Sequence, residues 1–221
     1  MYIVLIGPQG SGKGTQADLL VNRFGLMKIS TGELFRAEIK AGTELGALVS
    51  GILDAGDLVP NDITIAIVEG RLKEIDAGAA SGAVFDGFPR NTGQAEALDE
   101  ALAARGKAID LVVEIAVSEA TLVHRLSGRR VCSVCGAVYH VDHAPPAVAG
   151  ICDKCGGSLE QRADDTPEAI QRRLSIYREM TKPLVDFYGA RGIVRRVEGD
   201  QAVEAVAQEI ARLVPASTDS E

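Results

Sequence analysis

Tryptophan is absent from this 221-residue chain, and aromatic residues make up only 4% of it, although 46% of its residues are hydrophobic. The core must therefore be built from aliphatic side chains. Positive charge is also in deficit: 23 lysines and arginines stand against 31 acidic residues, for a net charge of −8. That balance argues against a general nucleic-acid or membrane-surface binder, whose footprint would be basic. Long hydrophobic runs are missing too. The apolar stretch that opens the chain ends at Gly7, too short for a signal sequence or a membrane span. A soluble, cytoplasmic protein is expected. Neither an internal repeat nor a low-complexity tract is visible, and the length suits one substantial domain, or one domain carrying insertions.

Cysteine is scarce but patterned. The four residues fall as Cys132-x-x-Cys135 and Cys152-x-x-Cys155, sixteen residues apart, with Gly136 and Gly156 directly after each pair. In a reducing compartment this spacing reads as a tetrahedral zinc site rather than a disulfide framework. A redox pair is the rival reading, and two matched pairs in one short segment favour metal.

The most informative stretch is Gly7-Pro8-Gln9-Gly10-Ser11-Gly12-Lys13-Gly14-Thr15, which follows the apolar run Tyr2 to Ile6 and precedes a helical pattern through Ala17, Leu19, Leu20 and Phe24. Strand, Gly-x-x-x-x-Gly-Lys, then helix is the context of a phosphate-binding P-loop. Glycines let successive backbone N–H groups point at one anion, and the helix adds its positive N-terminal end. Lys13 supplies a mobile cation for outer phosphates, and Thr15 a hydroxyl. The hydroxyl residue usual after the lysine is replaced by Gly14.

Further apolar runs at Met27 to Ile29, Ala83 to Phe85, Leu111 to Val117 and Ile193 to Val197 alternate with helical patterns. Runs this apolar suit a parallel sheet covered on both faces, hence an α/β core. Two stretches interrupt the alternation. Helical patterns at Phe35 to Ile39 and Leu45 to Leu53 form one insertion, ending at Gly56-Asp57-Leu58-Val59-Pro60. The other runs from about Gly128 to Asp165, with a β-like piece at Ala137 to Val141, and closes on a helix start at Thr166-Pro167-Glu168. Both are candidates for lids over the P-loop. The tail from Pro215 is polar and expected to fray.

Asp86, at the end of the run Ala83 to Phe85, is placed to hold magnesium through water. Arg36, Arg90, Arg125, Arg129, Arg162 and Arg173 come from separate segments. Each alone reads as a solvated charge; together they would bind phosphates through bidentate forks.

These motifs, with Ile-Ser-Thr-Gly-Glu at 29–33, Asp-Gly-Phe-Pro-Arg at 86–90, Gly-Arg-Arg at 128–130 and Tyr-Arg-Glu-Met-Thr-Lys-Pro-Leu at 177–184, resemble the adenylate kinases with a long, zinc-binding lid. The resemblance runs from Met1 to about Leu213 and includes the Gly14 departure. It implies a nucleoside monophosphate kinase fold: a doubly wound parallel sheet made by residues 1–29, 60–127 and 166–221, a helical AMP-binding insertion at 30–59, and a zinc-ribbon-like lid at 128–165. The implied reaction is MgATP + AMP ⇌ 2 ADP, which maintains adenine nucleotide balance, carried out by a monomer. ATP would be held by Gly10, Ser11, Gly12, Lys13, Gly14 and Thr15, with Arg129, Val138, Tyr139 and the backbone of Gln201. AMP would be held by Thr31, Arg36, Asp57, Leu58, Val59, Gly87, Phe88, Pro89, Arg90 and Gln94, with Arg162 and Arg173. Arg125, Arg162 and Arg173 would clamp the transferring phosphoryl group, and the four cysteines would hold structural zinc. His143 stands where many relatives carry phenylalanine; four thiolates already complete a tetrahedral shell, so it is not expected to ligate the zinc, and His124 reads as structural.

Two rival classes remain. One is another nucleoside monophosphate kinase or a GTP:AMP phosphotransferase, against which Gln94 as a reader of adenine argues. The other is a zinc-ribbon nucleic-acid module, against which the acidic balance argues.

Overall fold

The computed structural model describes residues 1–215; the tail from Ala216 onward, with its expected fraying, lies outside the described residues. Five strands form one parallel sheet: β1 (Tyr2–Ile6), β2 (Met27–Ser30), β3 (Ala83–Asp86), β4 (Leu111–Ala116) and, from late in the chain, β8 (Val194–Glu198). Their order is β2-β3-β1-β4-β8, with β1 at the centre. The five apolar runs seen in the sequence are these strands, each within a residue or two of its expected bounds.

Strand β1 shows why the runs lack polar alternation. Tyr2, Val4 and Ile6 face one apolar cluster, with Phe85, Leu98 and Tyr188; Ile3 and Leu5 face the other, with Ala17, Leu20 and Ile210. Helices α4 (Asn61–Asp76), α5 (Thr92–Ala103) and α8 (Leu184–Gly189) cover the first face. Helices α1 (Lys13–Phe24) and α9 (Val203–Leu213) cover the second. With both faces dry, every position of a central strand must be apolar. Among the described residues, no helix is long and apolar enough to cross a membrane.

Between β2 and α4 lie α2 (Thr31–Ala41) and α3 (Glu44–Asp54), which share a small core of Phe35, Val49 and Val59. Thr43 caps α3 by accepting from the Gly46 N–H at 3.0 Å, a contact worth about 1 kcal/mol. After β4 come α6 (Glu119–Ser127) and, beyond the second insertion, α7 (Pro167–Ile176), capped by Thr166 as the sequence suggests. Leu122, Leu126, Ile170 and Leu174 zip these two helices together. The insertion they carry is a separate antiparallel sheet of β5 (Arg129–Cys132), β6 (Val138–His140) and β7 (Leu159–Glu160), ordered β6-β5-β7. A short π-helical turn, Tyr177–Thr181, follows α7; nothing in the helical pattern signalled it.

Helices α2 and α3 approach so closely at Gly46 that an added Cβ would overlap the Glu38 carbonyl and come within 2.6 Å of the Ile39 nitrogen. Gly51, on the same helix, has nothing within 4 Å of that position. The same substitution should therefore have opposite signs. Gly46→Ala is expected to cost about 2 kcal/mol by forcing the helices apart. Gly51→Ala should add about 0.5–1 kcal/mol through helix propensity and unfolded-state entropy. Denaturant unfolding of the two variants checks this; equal effects would contradict the close approach.

Candidate functional site

The site lies at the C-terminal ends of β1, β2 and β3, where an open parallel sheet presents its crevice. The loop after β1 turns on Gly10 (φ +84°) and Gly12 (φ +94°), left-handed conformations that side chains rarely adopt. Helix α1 starts at Lys13 behind Gly12, and no side chain caps it. Its first N–H groups are left for an anion in the cleft. Gly10, Ser11, Gly12, Lys13, Gly14 and Thr15 all line that cleft. A Cβ on Gly14 would lie 3.4 Å from Asp86 Oδ2, so glycine leaves the Asp86 carboxylate clear toward the loop.

Lys13 folds back to donate to the carbonyls of Gly7 (2.7 Å) and Pro8 (2.8 Å). Burial pushes its ammonium down to about 8; Asp86 opposes this, while Arg90, Arg173 and Arg129 lower it further. The six arginines singled out in the sequence do converge: Arg36, Arg90, Arg125, Arg129, Arg162 and Arg173 line one cleft of about 2280 Å³. They feel one another. Arg90 is lowered to about 10 by burial, then by Arg173 and Arg36 with Asp86 opposing; Arg162 is lowered to about 9 by burial, then by Arg36 and Arg129. Burial also lowers Arg36 and Arg173. Arg162 Nε and the buried Ser11 Oγ have no protein partner among the described residues.

Two carboxylates that sequence reasoning missed hold part of this cluster. Asp165 accepts from Arg129 Nε at 2.8 Å in a bidentate pair and from Arg173 at 3.2 Å. Asp164 pairs with Arg173 at 3.1 Å. Burial would raise Asp164, but Arg173, Arg36, Arg129 and Arg162 outweigh it, and its carboxyl sits below the ordinary range. The available signal was their position two and three residues after Arg162, between β7 and a capped helix. Arg125 bridges outward, donating to Gly199 O at 2.9 Å, and Gln201, which lines the cleft, donates its side-chain amide to Glu198 O.

A narrow recess of about 20 Å³ adjoins the cleft, lined by Thr31, Asp57, Leu58, Val59, Gly87, Arg90 and Gln94. That volume holds a water rather than a base. Gln94 is buried; its Oε1 accepts from the Arg90 N–H (2.8 Å) and its Nε2 donates to Asn61 Oδ1 (3.0 Å). One N–H and one lone pair of the amide remain for a ligand. Arg172, absent from the sequence reading, pairs with Asp57. Pro89 lines the main cleft, but the Phe88 side chain does not join the site: it is 1% exposed, packed in the sheet core against Phe85. Aromatic scarcity makes it a core residue first.

In the second insertion each Cys-x-x-Cys turn closes identically. Gly136 N–H donates to Cys132 O and Gly156 N–H to Cys152 O, both glycines at positive φ. Cys132 and Cys155 sulfurs lie 3.4 Å apart, and Cys135 and Cys152 sulfurs 3.6 Å. Those separations approach the ~3.7 Å edge of a tetrahedral zinc–thiolate centre. The Tyr139 hydroxyl lies 3.5 Å from Cys152 Sγ and draws that thiol down to about 6. Its hydroxyl therefore joins the cysteine cluster, while Val138 and Tyr139 both line the cleft. Across the mouth, Lys40 of α2 donates to the Ser133 and Val134 carbonyls, at 2.8 and 3.1 Å.

A polyanion in this cleft stabilises protonated Lys13, so its pKa must rise on binding. Above pH 8, the value it has without a ligand, binding should take up a proton, and affinity should fall as pH rises. Calorimetry with tripolyphosphate in buffers of different ionisation enthalpy measures this. Lys13→Ala should abolish the difference; unchanged uptake would place the proton elsewhere.

The family model described as adenylate kinase matches residues 5–193. The adenylate kinase of Geobacter sp. (strain M21) is 50% identical over 210 residues, covering 95% of this chain and 97% of that protein. That of Symbiobacterium thermophilum is 50% identical over 217 residues, 98% of this chain and 100% of the relative. That of Clostridioides difficile (strain 630) is 47% identical over 210 residues, 95% and 96% respectively. With its phosphate loop, arginine-lined cleft and paired cysteines, the chain belongs to the adenylate kinase family.

Proposed function

We propose that the protein transfers a phosphoryl group from ATP to AMP, yielding two ADP, as a monomer whose single chain supplies the complete site. The observation that carries this reading is the convergence of Lys13 and the arginines on one cleft, with more than twice the ~1,000 Å³ of a roomy single-ligand pocket. Two nucleotides meeting phosphate to phosphate fit such a space and such a charge.

The acceptor is a phosphate, already anionic near neutral pH, so no general base is required. Alignment and positive charge carry the transfer, and an arginine in such a role contributes about 10³–10⁵ in rate. Gly10 to Thr15 would cradle the ATP phosphates, with Lys13 on the outer ones. Val138, Tyr139 and the Gln201 backbone would hold the donor's base and sugar side. Thr31, Arg36, the stretch Asp57 to Val59, Gly87 to Arg90 and Gln94 would hold AMP, with Phe88 acting through its backbone. Arg125, Arg129, Arg162 and Arg173 would close on the transferring group, and Asp164 and Asp165 keep two of them aimed. Magnesium, bound with ATP, neutralises phosphate charge; Asp86, 3.3 Å from Ser30 Oγ, fits as a carboxylate holding its waters. Residues 30–59 and 128–165 serve as lids, and the Lys40 contact between them excludes water.

The reading is tested by following ADP formation from ATP with AMP, GMP, CMP and UMP in turn. AMP should be strongly preferred; equal use of the four would overturn the assignment. Gln94→Ala should raise KM for AMP about tenfold or more and relax that preference, because the base loses a buried hydrogen-bonding partner.

The four thiols fit zinc, which closes a tetrahedral shell and leaves no position for substrate. It would hold together a unit too small for its own core. Cys132→Ser with Cys135→Ser should remove about one metal equivalent and lower the melting temperature while leaving substantial turnover in the cold. Full loss of turnover in a protein that is still folded would contradict a structural role.

A further inference from the structure

We propose that His124, Asp142 and His143 form a second metal site, distinct from the cysteines, that fastens the β6 turn to α6. The three histidines of the chain gather here, each offering a ring nitrogen within 4.8 Å of the others. His124 comes from α6; His140 ends β6; Asp142 and His143 form the turn that follows. His124 Nε2 and His143 Nε2 are 3.0 Å apart, and Asp142 Oδ2 lies 3.5 Å from His124 Nε2. Two nitrogens on one tetrahedral dication stand about 3.3 Å apart, given metal–nitrogen bonds near 2.0–2.1 Å. The observed spacing needs only a slight opening.

His140 has a different part. Its Nδ1 accepts from the Asp142 and His143 N–H groups at 3.1 and 3.2 Å, and its Nε2 faces the His124 carbonyl at 3.2 Å. Both nitrogens are engaged, so it positions the ligands rather than joining them. The turn is closed further by mutual backbone bonds between His140 and Ala144. The His140 ring lies against Gly128, where any Cβ would overlap it. Its ring also stacks on His143 at 4.7 Å between centroids. A buried, packed imidazole thus holds Asp142 and His143 toward His124. The ligand side remains open: His124 and Asp142 side chains are 52% and 58% exposed.

Two imidazoles and one carboxylate suit a borderline first-row dication such as zinc, cobalt, nickel or copper, and disfavour magnesium and calcium. Both ligand imidazoles would bind as neutral Nδ1–H tautomers, with water completing the shell. The thiolate cluster prefers softer ions, so the two sites can be loaded separately.

Zinc-loaded, reduced protein is titrated with Co²⁺ alone after removal of loose metal. Wild type should take up about one further equivalent with a visible spectrum lacking thiolate-to-cobalt charge transfer. Hydrogen exchange in the β6 turn should slow with it. His124→Ala and His143→Ala, both changes at the rim of the cleft, should each abolish uptake while keeping the zinc and the melting temperature. His140→Ala should weaken uptake by disordering the turn. No further equivalent in wild type, uptake that survives both ligand variants, or a thiolate band would each overturn the proposal. Since every readout is binding or exchange, none depends on which nucleotides the enzyme uses.

Discussion

Everything in this molecule is arranged to hold cations closer together than water would allow. Lys13 and four of the surrounding arginines, Arg36, Arg90, Arg162 and Arg173, are drawn below their ordinary pKa in a buried cleft, with Asp86, Asp164 and Asp165 as the neighbouring counter-charges. Such a concentration is costly in a low-dielectric interior unless anions complete it. The fold supplies the rigidity that resists it. A central strand buried on both faces anchors the loop, and a zipped helix pair anchors the distal arginines. The same repulsion makes phosphate binding favourable, because each phosphate oxygen relieves it.

The two acidic residues missed in the sequence define how far this crowding is tolerated. Asp165 has a fully buried side chain and touches both Arg129 and Arg173, and Asp164 touches Arg173. They neutralise part of the charge and, through bidentate geometry, restrict the guanidinium planes. Arg162 has no partner for its Nε among the described residues. Arg129 and Arg173 are thus held by carboxylates, while Arg162 keeps a free donor. A fully neutralised cluster would bind phosphate weakly, and an unneutralised one would strain the fold.

The two insertions are held together by different means. The first insertion buries Phe35, Val49 and Val59 and relies on a glycine contact between helices. The second has a small sheet with little apolar interior, and exposes Val134, Val138 and Val141. Four cysteine side chains gather where a core would be. The histidine turn adds a polar fastening at its junction with α6. Lys40 joins the two insertions through the Ser133 and Val134 backbone carbonyls.

Much of this was legible along the chain because it depends on short-range pattern. Five continuous apolar runs required a sheet covered on both faces, and all five are its strands. The glycine spacing in 7–15 required a phosphate loop, and Thr166-Pro167 marked the start of α7. The cysteine spacing pointed to two paired turns, and Gly136 and Gly156, which follow the pairs, both take a left-handed conformation. What tertiary structure alone decided is which distant groups meet. Arg36 and Arg162, or Asp57 and Arg172, are far apart in sequence, and no local period encodes their encounter. Phe88 sits in the Asp-Gly-Phe-Pro-Arg motif, yet its ring was taken by the core because apolar burial outweighs motif membership for so large a side chain. The gathering of His124 with His143 likewise required α6 and the β6 turn to be packed together. Local chemistry is written residue by residue, whereas electrostatic convergence is a property of the folded geometry, where distance in space replaces distance along the chain.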